Sequence, residues 1–421
     1  MSSWWRVVSL VGAIPKHKSK QDCDFVDRLS NSYTVVICVV FTIVVSMHHY
    51  VGKPITCWAP KHITRGQTKY VNNYCWVRNT YYLPWEDEVP QAEIHDDRKQ
   101  TVMYYQWIPF ILLGQALFFY MPSIVWNGLN EKSGVDADNI LATAASFMNR
   151  KGAESKERHL VFITRQMHRF LTSSLETQPG CSLDIKQMVL HLLSKAFGVQ
   201  GGSYLSILYL VVKALYLANV IAQVFLLNLI LGMEFNMYGI DMAKYLWDGE
   251  EWNRHNSIYF PRVTMCDFTV RRLGNLHSYT VQCVLPINLY NERIFFFLWY
   301  WMAFVAAATA LSFLKWLTRA LFESDRIRYV NRHLSAGGRL PSQYSVKLAK
   351  KFTRDYLRRD GVFLLRLVGH NTNHLAVTEI LCAIWDRWAE AEGHADDGAT
   401  DTLRKPRDTM FKLAKMEGEK V

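Results

Sequence analysis

Four long stretches without a charged residue constrain this chain more than any other feature of its sequence. They contain no Asp, Glu, Lys or Arg and are rich in Val, Ile, Leu and Phe: residues 29–52, 100–130, 214–233 and 294–314. A helix rises ~1.5 Å per residue, so ~20 apolar residues cross the ~30 Å hydrocarbon core of a bilayer. A soluble protein with four buried helices is disfavoured, because soluble core helices seldom run so far without a charge on any face. The sequence therefore predicts four membrane spans.

The distribution of charge predicts which side of the membrane each loop faces. Four spans place both termini on one side, which has 34 Lys and Arg against 24 Asp and Glu, whereas the other side has 13 of each. Positive charge marks the cytoplasmic side, so the termini and the loop 131–203 are predicted to be cytoplasmic. Lys53, Arg98 and Lys99 flank spans on the opposite side and weaken this signal.

The eight cysteines support the same orientation. Cys57 and Cys75 lie in the first outer loop, and Cys266 and Cys283 lie in the second. Cysteine pairs in an oxidising compartment predict disulfides. A zinc site is the alternative, although no C-x-x-C or histidine-rich spacing supports it. The other four cysteines are predicted to be reduced thiols: Cys23, Cys38, Cys181 and Cys382.

The predicted fold class is an all-α membrane protein, a four-transmembrane-helix subunit with helical cytoplasmic domains. Its outer loops, 53–103 and 234–293, are too long to be plain connectors. They are predicted to form a small disulfide-linked extracellular cap of short strands and a helix. The predicted segments are a cytoplasmic N-terminal segment (1–28), four transmembrane helices (29–52, 104–126, 204–233 and 294–314), two extracellular loops (53–103 and 234–293), a helical cytoplasmic loop (127–203), a helical cytoplasmic C-terminal domain (315–392) and a disordered tail (393–421).

The third span contains a charge if it is extended back to Tyr204. Lys213 then lies in its early part, where the side chain could snorkel to the cytoplasmic interface. The alternative is a charge that faces a pore. Pro109 and Pro122 lie in the second span and are predicted to kink it, because each removes a backbone hydrogen-bond donor.

The sequence contains no motif of an established catalytic chemistry. Residues 198–202 are glycine-rich but lack the Lys-Ser/Thr that follows a phosphate-binding loop, and neither H-E-x-x-H nor G-x-S-x-G occurs. We therefore predict no enzymatic activity and no cofactor. The basic run 347–359 could bind acidic lipid or nucleic acid. A helix face beside an anionic inner leaflet is the more ordinary interpretation, so the predicted partner is membrane lipid and not nucleic acid.

A run at the start of the second span resembles a known protein family. Tyr104, Tyr105, Gln106, Trp107 and Pro109 are similar to the sequence that opens the second span of innexins, the invertebrate gap-junction proteins. The resemblance extends from about residue 20 to about residue 390. Its further segments are residues 24–29 before the first span, 50–58 after it, 73–82 in the first outer loop and 360–366 in the C-terminal region.

The resemblance implies a subunit of a ring-shaped hemichannel of eight subunits, either homomeric or heteromeric. Two hemichannels of adjoining cells would dock through their outer loops and pass ions and small metabolites, so the predicted location is the gap junction of the plasma membrane. A closed ring would also bury the side faces of the subunits. Two other functions stay open: a plasma-membrane release channel that never docks, and a four-span adhesion or scaffold protein that passes no current.

The four outer-loop cysteines allow three pairings. If the two loops run antiparallel, the first cysteine of one loop meets the last cysteine of the other. This arrangement predicts Cys57–Cys283 and Cys75–Cys266. Bonds between the loops would also constrain the unfolded chain more than bonds within a loop.

The N-terminal residues are predicted to line the pore. Trp4 and Trp5 belong to an apolar face of a short amphipathic helix, which would fold into the vestibule and pack on the first span. Ser2, Ser3 and Arg6 would then contact water. The alternative is a helix that lies on the inner leaflet.

Lys53 is the second predicted pore-lining position. It follows the first span at a place where innexins often carry an acidic residue. Eight such lysines around the outer mouth would influence ion selection, because rings of charged side chains set selectivity in many pores. The alternative is an ion pair between Lys53 and Glu86 or Asp87, which would neutralise the lysine.

Overall fold

The computed structural model describes residues 24–59, 64–84, 100–130, 137–149, 153–176, 203–232, 234–248, 259–340 and 342–391. The predicted pore-lining residues Ser2 to Arg6 and the predicted tail 393–421 lie outside these ranges. The described elements are, in chain order, α1 (Phe25–Tyr50), β1 (Thr56–Cys57), α2 (Arg65–Arg78), β2 (Thr80–Tyr82), β3 (Gln100–Val102), α3 (Ile108–Asn130), α4 (Ala137–Asn149), α5 (Ala153–Glu176), α6 (Tyr204–Leu231), α7 (Phe235–Trp247), β4 (Val263–Arg272), β5 (Asn275–Val284), α8 (Pro286–Leu321), α9 (Glu323–Ala336), α10 (Gln343–Lys351), α11 (Arg358–Asn371) and α12 (His374–Ala391).

These elements divide into two compact units. The first consists of Cys23–Leu129 and Leu208–Thr318, and we call it the span unit. The second contains the described residues of Asn130–Ile207 and Arg319–Val421, and we call it the helical unit.

Helices α1, α3, α6 and α8 are long and apolar enough to cross a membrane. They confirm the four predicted spans. Only 28% to 44% of the most apolar window of each helix is buried within the chain. Large side chains such as Leu117, Phe225 and Leu229 are exposed. Lipid or neighbouring protein must cover this surface, because exposed apolar patches of such size are costly in water.

The two prolines of the second span occupy different positions in α3. The helix begins at Ile108, so Pro109 lies in its first turn, where a missing N–H breaks no helical hydrogen bond. Pro122 lies inside the helix, and it alone occupies a position where a kink is expected.

The span unit contains a five-stranded antiparallel sheet in the order β1-β5-β4-β2-β3. Its centre is the β4–β5 hairpin, in which Val263 pairs with Val284 at one end and Arg272 with Asn275 at the other. The turn consists of Leu273 and Gly274, with φ angles of 53° and 87°. Two positive φ angles are typical of the tight hairpin turn whose twist matches that of the strands.

Helix α7 packs against the fourth span, α8. The indole nitrogen of Trp299 donates to the carbonyl of Asn236 at 3.2 Å, and the hydroxyl of Tyr300 donates to the carbonyl of Gly239 at 3.0 Å. A Cβ atom at Gly239 would overlap the indole ring of Trp299, so a glycine is needed for this close approach. We call the sheet together with α2 and α7 the cap.

The helical unit is organised around the segment Asp360 to Arg366. Its apolar residues Val362, Leu364 and Leu365 are buried. Arg366 donates to Asp325 at 2.7 Å and lies 4.9 Å from the ring centre of Tyr329. This segment therefore supplies both core and ion-pair contacts to its unit.

Asp360 caps the first turn of α6. Its carboxylate accepts from the backbone N–H of Leu205 at 3.2 Å, from that of Ser206 at 2.9 Å and from the Ser206 hydroxyl at 2.8 Å. Burial raises the pKa of Asp360, whereas the hydrogen bonds from Ser206 and Leu205 oppose that rise. A carboxylate at this position satisfies N–H groups that have no partner within the helix.

Candidate functional site

Two disulfides join the two predicted outer loops. Cys57 is bonded to Cys283 and Cys75 to Cys266, across sequence separations of 226 and 191 residues. These are the predicted pairs. The sulfur atoms are bonded to each other in pairs, so these cysteines offer no thiolate to a zinc ion, which was the alternative interpretation.

The secondary structure explains why these cysteines meet. Cys57 and Cys283 are direct cross-strand partners of β1 and β5. Cys75 lies on α2, and Cys266 lies on β4. All four side chains are buried, and the backbone N–H of Cys57 donates to the side chain of Asn72 at 2.9 Å. The antiparallel arrangement that would bring the first cysteine to the last is the one adopted.

The segment Tyr104 to Trp107 connects the cap to the start of the second span. The hydroxyl of Tyr104 donates to the carbonyl of Tyr259 at 3.0 Å, and that of Tyr105 donates to the carbonyl of Trp76 at 3.3 Å. The side-chain amide of Gln106 also donates to the carbonyl of Trp76. Tyr104 and Tyr105 are buried and Trp107 is exposed. Three residues of this motif therefore hold both loops against the second span.

Lys53 lies between the end of α1 and β1, and its side chain is exposed. Among the described residues none forms an ion pair with it. Glu86 and Asp87, the proposed partners, lie outside those residues. The exposure of Lys53 is compatible with a position on an ion path, and its role stays a prediction.

Lys213 forms a buried ion cluster that neither sequence interpretation anticipated. Its side chain is only 1% exposed, and its Nζ lies 2.8 Å from Asp27 and 3.5 Å from Asp24. Nζ also donates to the hydroxyl of Ser312 at 2.8 Å. Within this chain Lys213 is therefore buried and paired, and its position relative to the interface or a pore stays a prediction. We call Asp24, Asp27, Lys213 and Ser312 the ion cluster.

The ion cluster joins three spans. Asp24 caps α1 and Asp27 lies in its first turn, while Lys213 belongs to α6 and Ser312 to α8. Tyr209 donates to Asp27 at 3.0 Å, and the indole nitrogen of Trp316 donates to Asp24 at 3.2 Å. Charges in an apolar environment are stable only when they are paired and hydrogen-bonded. The sequence shows two acids before one apolar stretch and one lysine near the start of another, but it does not show that these residues meet.

Comparison with known proteins places these features in a family. A family model described as Innexin matches residues 23–388. Innexin unc-9 of Caenorhabditis elegans is 37% identical over 379 residues, which cover 89% of this chain and 95% of that protein. Innexin-3 of the same species is 34% identical over 90% of this chain and 87% of its own length, and Innexin-19 of Caenorhabditis briggsae is 32% identical over 89% of each chain. With four candidate spans and a cap closed by two disulfides, this chain belongs to the innexin family.

Proposed function

We propose that the chain is a gap-junction channel subunit that forms ring-shaped hemichannels of eight copies and docks with a hemichannel of the adjoining cell. Membership of the innexin family supports a channel, and the number eight comes from the family resemblance. The observation that carries the docking step is the cap, in which two disulfides and a shared sheet join the described parts of both loops. A preformed surface loses less conformational entropy on association than a flexible one does.

The β4–β5 hairpin is the proposed docking element. Strand β5 ends at Val284, and the fourth span begins at Pro286. Ten residues at ~3.4 Å per residue can place the hairpin turn ~30 Å from this point. Leu273 in the turn is 99% exposed. An exposed apolar side chain at the end of a rigid hairpin is suited to a contact with an opposing protein.

The pore would lie on the axis of the ring, as the family resemblance implies. The apolar faces that α1, α3, α6 and α8 leave exposed would then be divided between lipid and neighbouring subunits. Both termini would be cytoplasmic and the cap extracellular, as the distribution of positive charge favours. The N-terminal residues Ser2 to Arg6 would line the vestibule.

Current recordings from paired cells test the proposal. The wild-type chain should give current between the two cells of a pair. Leu273→Asn should lower this junctional current at least about fivefold, because it removes the apolar side chain proposed for docking. It should leave the current of single cells unchanged, because asparagine tolerates the positive φ angle of the turn. Leu375→Asn, which changes an exposed leucine of the helical unit, is the matched control and should have no effect.

The other outcomes assign the alternative functions. Single-cell current without junctional current would identify a release channel. The sequence contains no N-glycosylation sequon. This disfavours a release channel, because glycans on the outer loops would obstruct docking, and a channel that never docks could carry them. Cell contact without any current would identify an adhesion protein. Deletion of residues 2–12 should change conductance at normal surface expression; unchanged conductance would favour an N-terminal helix on the inner leaflet.

A further inference from the structure

A cavity of about 650 Å³ lies in the helical unit between α9 and α10. This volume is within the usual range for a small-molecule site, ~300–1,000 Å³. Its lining combines three cations with hydroxyl, amide and apolar groups: Ser324, Ile327, Arg328, Asn331, Arg332, Ser335, Leu340, Val346 and Lys350. We call it the basic cavity.

The positive charge of the basic cavity is only partly offset within the described part of the chain, because the Glu323 carboxylate interacts electrostatically with Lys350. Arg328, Arg332 and Lys350 form no ion pair with any described residue, and no acidic residue lines the cavity. The two acids next to it in sequence are already paired elsewhere. Glu323 accepts from Arg354 at 2.7 Å, and Asp325 accepts from Arg366 at 2.7 Å. Two arginines without an ion pair, together with the partly compensated Lys350, favour a ligand with several negative charges.

The polar groups of the cavity restrict the ligand further. Ser324, Arg328, Asn331, Arg332 and Ser335 follow one face of α9, because residues three and four apart are neighbours on a helix. The hydroxyl groups of Ser324 and Ser335 both donate and accept, so they can bind phosphate oxygens and also ligand hydroxyl groups. The apolar side chains Ile327, Leu340 and Val346 suit a ligand that has an uncharged part.

The position of the cavity along the chain places it near a membrane surface. The charge-free stretch of the fourth span ends at Leu314, and α8 continues to Leu321. Seven helical residues rise ~10 Å, and three further residues to Ser324 span at most ~10 Å. The first residue of the cavity is therefore within about 20 Å of the hydrocarbon boundary. In the orientation of the proposed function, on which this step rests, that boundary belongs to the anionic inner leaflet.

We propose that the basic cavity binds the phosphorylated inositol headgroup of an inner-leaflet phosphoinositide. Arg328 and Arg332 contact phosphate groups, and bidentate guanidinium contacts are well matched to phosphate. Lys350 supplies a third charge from the opposite helix. Ser324 and Ser335 hydrogen-bond to inositol hydroxyls, and the apolar side chains cover the glycerol end of the headgroup.

Binding of a short-chain phosphoinositide to the purified full-length protein tests this proposal. Arg328→Gln/Arg332→Gln should weaken binding at least about tenfold, since a charged hydrogen bond contributes enough for about one decade of affinity. Arg165→Gln/Arg169→Gln is the matched control. It removes two exposed arginines at the same spacing on α5 of the same unit, and it should bind like the wild type. Equal affinity of the two double variants would overturn the proposal.

Two further arms separate the sources of phosphate and guard against misfolding. Soluble inositol trisphosphate should bind at least about tenfold more weakly than the lipid; equal affinity would overturn the assignment to a membrane lipid.

If the arginine variant unfolds, Ser324→Trp fills the cavity and leaves every charge in place. It should also prevent binding, and normal binding would refute the cavity as the site. These measurements require no channel current, so their failure would be distinguishable from failure of the proposed function.

Discussion

Replacement of Lys213 by methionine should destabilise the span unit by about 3–5 kcal/mol, the usual cost of removing one partner of a buried ion pair. Methionine has a similar length and apolar stem, so the change removes mainly the charge and its hydrogen bonds. It would leave Asp27, only 3% exposed, without the cation 2.8 Å away. The Tyr209 hydroxyl at 3.0 Å would remain, but one neutral donor does not replace a cation.

Replacement of Asp27 instead of Lys213 separates charge pairing from packing. Asp27→Asn leaves Lys213 with Asp24 at 3.5 Å and with the Ser312 hydroxyl. Its cost should therefore be smaller, about 1–3 kcal/mol. The double variant Lys213→Met/Asp27→Asn removes both charges together. It should be about 0.5–3 kcal/mol more stable than the sum of the single changes predicts, as for other residues in direct contact.

Unfolding of the purified full-length protein by a denaturing detergent measures these free energies. The matched control is Lys315→Met, which changes an exposed lysine near the end of the same bundle of spans. It should alter stability by less than about 0.5 kcal/mol. If Lys213→Met is as stable as Lys315→Met, or if the double-variant costs simply add, then the ion cluster does not contribute the pairing energy inferred from its geometry.

Three further predictions follow from the cap and the helical unit. Cys57→Ser should abolish junctional current and cost about 2–5 kcal/mol; normal coupling between paired cells would contradict this. Lys53→Glu in open hemichannels under a salt gradient should move the reversal potential towards cation preference, more strongly at low ionic strength, and an unmoved potential would place Lys53 outside the ion path. Burial, then the neighbouring His374 and Arg332, lower the pKa of His333. Near and below the ordinary histidine pKa of about 6.5, the unfolded chain therefore binds more protons at His333 than the folded chain does. The free energy of unfolding should fall as the pH falls through about 6.5, and His333→Asn should flatten that pH dependence in unfolding measurements.

The membrane spans and the disulfides could be predicted because both depend on simple constraints. A span must be apolar over a fixed length, and this requirement is visible in a continuous stretch of sequence. Four cysteines permit three pairings, so one assumption about loop direction was enough to select Cys57–Cys283 and Cys75–Cys266. Neither prediction required knowledge of how the spans pack.

The sheet of the cap was predicted only as short strands, although its signal was present. Thr264, Cys266 and Phe268 alternate with more exposed residues along β4 and face the core. Such alternation is the mark of a half-buried strand. The Leu273-Gly274 turn carries only one glycine, which is a weaker hairpin signal than Asn-Gly, because leucine at a positive φ angle is uncommon.

The partners of Lys213 could not be predicted, because they depend on the packing of helices that are far apart in sequence. Asp27 precedes Lys213 by 186 positions, and Ser312 follows it by 99. A charge inside an apolar helix indicates only that some compensation exists. Two acids around one lysine leave a formal negative charge, which the hydroxyls of Tyr209 and Ser312 and the indole of Trp316 offset by donating to the carboxylates.

The ion cluster lies at the start of the first span, after the segment proposed to line the vestibule. Asp24 accepts from the N–H of Phe25 at 2.8 Å and so fixes the residue at which α1 begins. The segment proposed to line the vestibule precedes this point in the sequence. Because Lys213 and Ser312 hold Asp24 and Asp27 from α6 and α8, a shift of either helix must move or break these contacts. An ion pair in low-dielectric surroundings resists separation more strongly than a surface pair does, so the start of α1 should be among the least mobile parts of the span unit.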